Sequence, residues 1–337
     1  MTQKLRPVRF SQHFGLDKSQ WELDFVDIPL NTDIPLFIDP YAIRIEEDEW
    51  SKECNDMIIT YFEMLIKAIR EKDNNLISRL LLNLHEPNDT HLGLSKTASR
   101  GRGIGNVQAK QLLDSFKKSE AVKSGFLYDI TEAALMIEGI GADKISDITT
   151  NIIKGKLIEY TQSQCRLFNI PTRKVATGVL FDFNIMNWRD KYEELPIYEG
   201  NRIVLTPKII VRKNPEINAE GFYSFILDYL EQEHTKPGDG LVNVLKNGKL
   251  KVYKKDLMKK YPFSRQFIYE YARKNPKVML EYRSQVRRTS KSMSDRQIEY
   301  RQQEFVDVDC DYLIEKLDKI ETGTESAEKY HEFIIGA

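Results

Sequence analysis

Side chains that can bind a metal ion or a phosphate occur together at the start of one predicted helix. From Asp143 onward, Asp147, Asn151 and Lys154 fall on a single helical face, because they are spaced four and then three residues apart. Carboxylate and amide oxygens are the ligands that Mg²⁺ prefers, and a lysine beside them suits a scissile phosphate. Asp182, flanked by apolar residues in a predicted strand, is a candidate to join them. The grouping of Asp143, Asp147 and Asp182 therefore predicts a metal-dependent hydrolase as one alternative.

The same residues also fit a purely structural role. Asp143 and Ser146 are typical helix-capping residues. A metal nuclease of the restriction type needs an aspartate on one strand and a Glu-x-Lys on the next, and no predicted strand here carries that triplet. We therefore assign no catalytic residue and no bound metal to this chain, and we keep the hydrolase as the alternative.

A glycine-punctuated basic loop is the second candidate site. It runs from Gly93 to Gly105 and leads into a predicted helix. Lys96, Arg100 and Arg102 are suited to bind backbone phosphates through charge and exposed amides. No Gly-Lys-Ser/Thr closes the loop, so it is not a Walker A motif. The alternative is a solvated surface loop.

Charge is divided unevenly along this chain, whose net charge is −1. The segment 246–291, which we call the basic segment, holds fifteen Lys or Arg and three acids, for a charge of +12. The rest of the chain then carries −13. A separation of this size inside a neutral chain predicts a local anionic partner.

Cations alternate with aromatic residues inside the basic segment, a pattern typical of nucleic-acid binding. Ser264 is a good N-cap for a helix with Phe267, Ile268 and Tyr271 facing inward. The residues that we predict to contact nucleic acid here are Lys254, Lys255, Lys259, Lys260, Arg265, Arg273 and Lys274. The alternative is a solvated basic face, or one that docks on an acidic surface of the same protein.

The elements that position these residues predict a mixed α/β (α+β) fold, mostly helical with a small antiparallel sheet, in two to three subdomains. The hydrophobic pattern has period two in some regions and a helical period in others. We divide the chain into N-terminal strands (1–44), a helical domain with the basic loop (45–170), a β element (171–215), the basic helical region (216–292) and linker helices (293–321). No apolar run approaches the length of a membrane span, which predicts no membrane partner. The N-terminus lacks the apolar core of a signal peptide, and the three cysteines lie far apart, which together predict a cytoplasmic protein with reduced thiols.

The last residues carry a family resemblance. Thr322-Gly-Thr-Glu-Ser-Ala-Glu-Lys-Tyr-His-Glu-Phe-Ile-Ile-Gly-Ala337 resembles the opening of a restriction-endonuclease-like domain of the PD-(D/E)xK fold. Such domains end many uncharacterised bacterial proteins of the phage-defence or restriction type. In that pattern an Ala-x-x-Tyr-His helix comes first, here Ala327 to His331. The resemblance implies that 322–337 is the first helix of a truncated nuclease domain.

The resemblance also sets the functional expectation. The metal-binding Asp and the Glu-x-Lys of such a nuclease would lie beyond Ala337, so Mg²⁺ is implied for the parent nuclease and no cofactor for this chain. We expect the DNA-binding or positioning region of a bacterial anti-phage defence nuclease, with DNA as its partner. A protein partner from a defence system and self-association are further expectations. The alternatives are the metal-dependent nuclease named above and a non-enzymatic assembly module.

Overall fold

The computed structural model describes residues 8–93, 106–127 and 129–303. Its α-helices are α1 (Phe10–His13), α2 (Pro40–Ile45), α3 (Glu49–Glu71), α4 (Asn74–Leu81), α5 (Asn106–Lys118), α6 (Glu120–Lys123), α7 (Ile130–Met136), α8 (Ala142–Leu167), α9 (Ala219–His234), α10 (Lys254–Lys260), α11 (Arg265–Lys274), α12 (Pro276–Thr289) and α13 (Asp295–Gln303). Its strands are β1 (Phe37–Ile38), β2 (Arg173–Asp182), β3 (Asn187–Leu195), β4 (Ile197–Tyr198), β5 (Asn201–Arg202), β6 (Val211–Arg212), β7 (Asn243–Val244) and β8 (Leu250–Lys251).

Two long helices, α3 and α8, form the centre of the molecule. They pack against each other, and α8 also packs against β1, β2 and β3. Asp48 caps α3 by accepting a hydrogen bond from the Ser51 N–H at 2.9 Å, which satisfies one of the free amides of the first turn. Along α3 the buried side chains recur at helical spacing and include Ile58, Phe62 and Leu65. Both helices therefore present an apolar stripe to one common core.

The strands pair into four small antiparallel sheets, all two-stranded in the part of the chain that the structure describes. The largest is the β2–β3 hairpin, in which Arg173 pairs with Leu195 and Asp182 with Asn187. Its inner face buries Phe181 and Trp188 against Tyr61 of α3, with ring centroids 4.9 and 6.0 Å away. Edge-to-face aromatic packing of this kind stabilises beyond the area it buries. The hairpin is therefore held to the helices by aromatic contacts.

A second group of helices is built around α9. Helices α10, α11 and α12 each pack against it. Gly221 permits a close approach here, since a Cβ at that position would lie 2.7 Å from the Tyr282 hydroxyl. The group joins the main body through a hydrogen bond between the hydroxyls of Tyr269 and Ser124, 3.0 Å apart, and through an ion pair between Arg283 and Glu132. The buried apolar residues of both parts form one continuous cluster.

The predicted fold class is confirmed: the structure is α+β, mostly helical, with small antiparallel sheets. Ser264 caps α11, as predicted, by accepting from the Phe267 N–H at 3.0 Å. The prediction of N-terminal strands over 1–44 is largely wrong for the described part of that range. Only β1 forms there, beside α1, α2 and isolated bridges such as Phe25 to Pro207. Pro29 and Pro35 lack an N–H and interrupt the ladder that the alternating pattern suggested.

The region predicted as linker helices begins instead as a packed helix. Gln302 of α13 is buried and donates from Nε2 to the Asp27 carbonyl at 2.8 Å. At the other end of α13, Asp295 accepts from Lys208 Nζ at 2.8 Å. The part of 293–321 that follows Gln303, and all of 322–337, lie outside the described residues.

Replacing Gln302 with Ala tests whether α13 belongs to the fold. The change leaves the buried Asp27 carbonyl without its side-chain donor, and we expect a loss of about 1 to 3 kcal/mol in unfolding free energy. The measurement is urea denaturation followed by circular dichroism. Arg296→Ala, at an exposed position of the same helix, is the control and should change stability by less than about 0.5 kcal/mol. Equal stability of the Gln302→Ala variant and the unchanged protein would show that the contact of α13 with the main body does not stabilise the fold.

Candidate nucleic-acid interface

Seven exposed lysines lie on the β7–β8 hairpin and on α10, and we call them the lysine surface. They are Lys246, Lys249, Lys251, Lys254, Lys255, Lys259 and Lys260. The hairpin turns at Asn247-Gly248, where Gly248 has a φ of +78°, so the chain reverses and brings lysines from both arms together. One acid, Asp256, lies within this stretch. The hairpin therefore adds Lys246, Lys249 and Lys251 to the predicted contacts, and the Asn-Gly turn was the signal for them.

Helix α10 presents its cations on one side because its other side is packed. Leu257 is fully buried against the main core. At about 100° per residue, Lys254, Lys255, Met258 and Lys259 occupy an arc of about 140° that faces away from Leu257. Met258 is half exposed within this arc. The helix thus offers a cationic face with an apolar centre.

An exposed tyrosine lies between two of these lysines. Lys251 Nζ and Lys255 Nζ are 5.1 and 5.4 Å from the centroid of the Tyr253 ring. Tyr253 is 36% exposed and Phe263, at the other end of α10, is 44% exposed. An aromatic face between two ammonium groups suits a nucleobase whose phosphates lie on either side. Neither ring was among the predicted contacts, although the alternation of cations and aromatics pointed to this region.

The cations of the basic segment are largely free of acidic partners. Among the described residues, two of the fifteen form ion pairs: Lys254 with Asp228, and Arg283 with Glu132. Acidic surfaces within the described ranges therefore pair with few of these cations. An accumulation of unpaired positive charge is unfavourable unless an anion or counterions compensate it.

Helix α11 contributes less to this surface than its sequence suggested. Arg265 was predicted to face outward, but its guanidinium donates to the Leu135 carbonyl of α7 at 3.2 Å, and burial lowers its pKa. Arg273 and Lys274 are exposed as predicted. Helix α11 packs against α7, α9 and α12, which leaves a narrow solvent face that also carries Glu270. The lysine surface on α10 and the hairpin is therefore the more accessible cationic region.

The three candidate catalytic acids are not brought together as a metal site. Asp182 accepts a hydrogen bond from the Asn184 N–H at 2.9 Å and pairs with Arg189, and these contacts lower its pKa. The described residues contain no group of three or more His, Cys, Asp or Glu able to hold a metal ion. The described residues thus do not show the grouping of Asp182 with Asp143 and Asp147 that the alternative required; Asn184 and Arg189 are the partners of Asp182 on the hairpin.

Asp147 lies instead among other carboxylates on the partly exposed start of α8. Burial, followed by the nearby carboxylates of Asp143, Glu86 and Asp33, raises the pKa of Asp147 to about 8. Burial also raises the pKa of Asp143. Neither Asp143 nor Ser146 caps α8; the N-cap is Gly141, and the Ser146 hydroxyl accepts from the Ile38 N–H at 2.9 Å.

Asn151 and Lys154, predicted beside a metal and a phosphate, have structural partners. Asn151 accepts from the His85 N–H at 3.2 Å and donates back to the His85 carbonyl at 2.6 Å. Lys154 pairs with the buried Asp89 at 2.7 Å. Both side chains therefore hold the segment 85–89 against α8. Lys96, Arg100 and Arg102 of the basic loop lie outside the described residues, so their predicted phosphate contacts remain predictions.

The fold and this surface define a mostly helical α+β protein that carries a basic helical group after its main body. The chain belongs to the family described as "Domain of unknown function (DUF8370)", whose model matches residues 15–218. The match ends one residue before α9, so the lysine surface lies outside the matched region. Neither the curated proteins nor the solved structures yielded a match. No helix in the described ranges is both long and apolar enough to cross a membrane.

Replacing Asp147 with Asn tests the crowding of acids at the start of α8. A folded-state pKa above the unfolded value means that the folded protein retains a proton that the unfolded chain releases. Stability from this group is therefore lost as pH rises from about 4 to about 8. The Asn variant should be more stable than the unchanged protein at about pH 8.5, and nearly equal to it at about pH 4.

The measurement is the melting temperature across this pH range. Asp182→Asn is the matched control with the opposite sign, because the pKa of Asp182 is lowered and its stabilising contribution is present at high pH. If the melting temperature of the Asp147→Asn variant rises by the same amount at every pH, the raised pKa of Asp147 is not the cause, and the prediction fails.

Proposed function

We propose that this protein binds nucleic acid, with DNA as the expected form, through its lysine surface. One observation carries the proposal: thirteen of the fifteen cations of the basic segment have no ion-pair partner among the described residues. Neutralising phosphates with such lysines releases condensed counterions, and this release is the main source of sequence-independent affinity. The exposed aromatic rings of Tyr253 and Phe263 add a means of stacking on unpaired bases.

The surface is better suited to phosphate contact than to reading a base sequence. Sequence readout in the major groove depends on side chains such as Arg, Asn and Gln that form bidentate bonds to base edges. The lysine surface supplies point charges instead, and Arg265, the arginine that follows α10 in the sequence, donates to the Leu135 carbonyl. We therefore infer binding with little sequence preference.

In the wider setting, we propose that the protein positions DNA for a bacterial anti-phage nuclease in the cytoplasm. The resemblance of residues 322–337 to the opening of a restriction-endonuclease-like domain supports this part of the proposal. Mg²⁺ would then act in the nuclease domain, and the residues described above would hold the substrate. The lysine surface supports the binding step independently of this setting.

Salt dependence tests the binding step. If about five phosphates are neutralised on duplex DNA, log K should fall against log salt with a slope of about −4 to −5. Replacing Lys251, Lys255, Lys259 and Lys260 with Ala should reduce that slope by about 3 to 4, because each lost phosphate contact removes about 0.9. The measurement is fluorescence anisotropy with a labelled duplex over a salt series.

The matched control replaces four exposed lysines outside the basic segment: Lys52, Lys67, Lys110 and Lys174. It changes the net charge equally and should leave most of the slope. If both variants lose a similar part of the slope, the salt dependence reflects net charge alone, and the lysine surface is not the binding site.

Tyr253→Ala tests the stacking contribution. Removing the ring should weaken binding of single-stranded DNA about tenfold, since base–aromatic stacking contributes about 1 to 3 kcal/mol per base. Duplex binding should change much less, because paired bases are not available to an exposed ring. Tyr253→Phe keeps the ring and should bind like the unchanged protein. Equal weakening on single- and double-stranded DNA would argue against stacking.

A further inference from the structure

A largely buried cluster in the main body brings two cations to one carboxylate. The Asp89 carboxylate accepts from Lys154 Nζ at 2.7 Å and from Arg202 Nε at 2.8 Å, both at the same oxygen, Oδ2. Asp89 and Lys154 are almost fully buried, whereas Arg202 is about one third exposed. Two cations thus share one carboxylate. Arg202 is the partly exposed cation of the two, so its guanidinium can also contact an anion from solvent.

The cluster forms part of the wall of a pocket of about 300 Å³. Its lining includes Asp89, His91, Arg202, Leu30, Val175 and Ile197. The pocket lies between the segment 88–91, the start of β2 and the β4–β5 hairpin, and each of these is within the matched family region 15–218. Its volume is at the lower end of the range of small-molecule sites.

The arginine in this wall retains free donors. Arg202 uses Nε for Asp89 and one N–H of Nη1 for the Ala176 carbonyl at 3.3 Å. Nη2 has no partner among the described residues. A guanidinium edge of this kind matches the geometry of a phosphate or carboxylate oxyanion. The side chain is fixed at two points, so its free edge is held in position for a ligand.

Asp89 and His91 present acceptor atoms in the same wall. Asp89 Oδ1 is buried and has no hydrogen-bond partner among the described residues, and Asp89 as a whole is 7% exposed. His91 Nδ1 is 3.4 Å from the Thr32 carbonyl, which favours a proton on Nδ1 and leaves a lone pair on Nε2. Burial lowers the pKa of His91, which favours the neutral ring. Unsatisfied buried acceptors are uncommon in native proteins and require a donor from outside.

We propose that this pocket binds a small phosphate ester that also carries hydroxyl groups, such as the ribose phosphate part of a nucleotide. The phosphate would lie on the free edge of Arg202 and pair with its guanidinium charge. The hydroxyls would donate to Asp89 Oδ1 and His91 Nε2, while Val175 and Ile197 contact the carbon skeleton. The site is separate from the lysine surface and belongs to the region that the family shares.

Thermal denaturation of the full chain with four probes tests the proposal. At about 5 mM, ribose 5-phosphate or AMP should raise the melting temperature by about 3 °C or more, because a ligand that binds only the folded state stabilises it. Inorganic phosphate and glutamate should produce smaller shifts, since neither combines a phosphate with hydroxyl donors. Equal shifts from either of these two, or no shift from any probe, would overturn the proposal.

Two variants locate the effect. Arg202→Gln removes the free guanidinium edge but leaves Asp89 paired with Lys154, and it should weaken binding at least tenfold. Val175→Trp fills the half-buried pocket wall without changing charge and should abolish the shift, so the test does not depend on the folding of the arginine variant.

Arg189→Gln is the matched control, since Arg189 also pairs with a buried aspartate, Asp182, but does not line this pocket. It should retain the shift, as should the variant lacking four lysines of the lysine surface. A shift that survives both pocket variants would place the binding elsewhere and overturn the proposal.

Discussion

The structure depends on the partners that four buried polar side chains of α8 find in the surrounding segments. This helix buries polar side chains along much of its length, and four of them bond to segments far away in the sequence. Ser146 accepts a hydrogen bond from the Ile38 N–H, and Thr161 accepts one from the Leu205 N–H at 2.8 Å. Asn151 accepts from the His85 N–H and donates to the His85 carbonyl. Lys154 adds the ion pair to Asp89. An unpaired polar group at these depths would cost about 1 to 3 kcal/mol, so α8 determines where the surrounding loops lie.

Charged side chains occur in two different environments in this chain. In the main body, several buried ions are paired: Asp89 with Lys154 and Arg202, and Arg212 with Glu216 at 2.7 Å. In the basic segment the lysines are exposed and mostly unpaired. Buried pairs fix geometry, whereas exposed unpaired lysines are screened by salt and respond to an external anion. The family match covers the first part and stops before the second.

Sequence reasoning predicted most helices because their apolar spacing and caps are local signals. The helix predicted after the basic loop is α5 (Asn106–Lys118), and the helix predicted from Asp143 onward is α8 (Ala142–Leu167). Strand β3 was missed, because Arg189, Asp190, Lys191, Glu193 and Glu194 hide its alternation and the sheet is held by aromatic packing from α3. Strand pairing of this kind depends on partners that the local sequence does not reveal.

The sequence predicted only part of the candidate site, because some of its features depend on residues far apart in the chain. Charge and composition located the basic segment, since both are properties of the sequence itself. The inward direction of Arg265 depends on the Leu135 carbonyl, 130 residues away in the chain, and could not be read locally. The pocket at Asp89 likewise combines residues 88–91 with β2 and β5. Only tertiary contacts assemble it.

The central claim, that the lysine surface is where nucleic acid binds, is tested most directly by lysine footprinting. Each lysine is acetylated with and without a saturating DNA duplex, and its reactivity is read by mass spectrometry. We expect Lys251, Lys255, Lys259 and Lys260 to be protected, while Lys52, Lys67 and Lys174 keep their reactivity. Protection spread evenly over both groups, or confined to the second, would contradict the account.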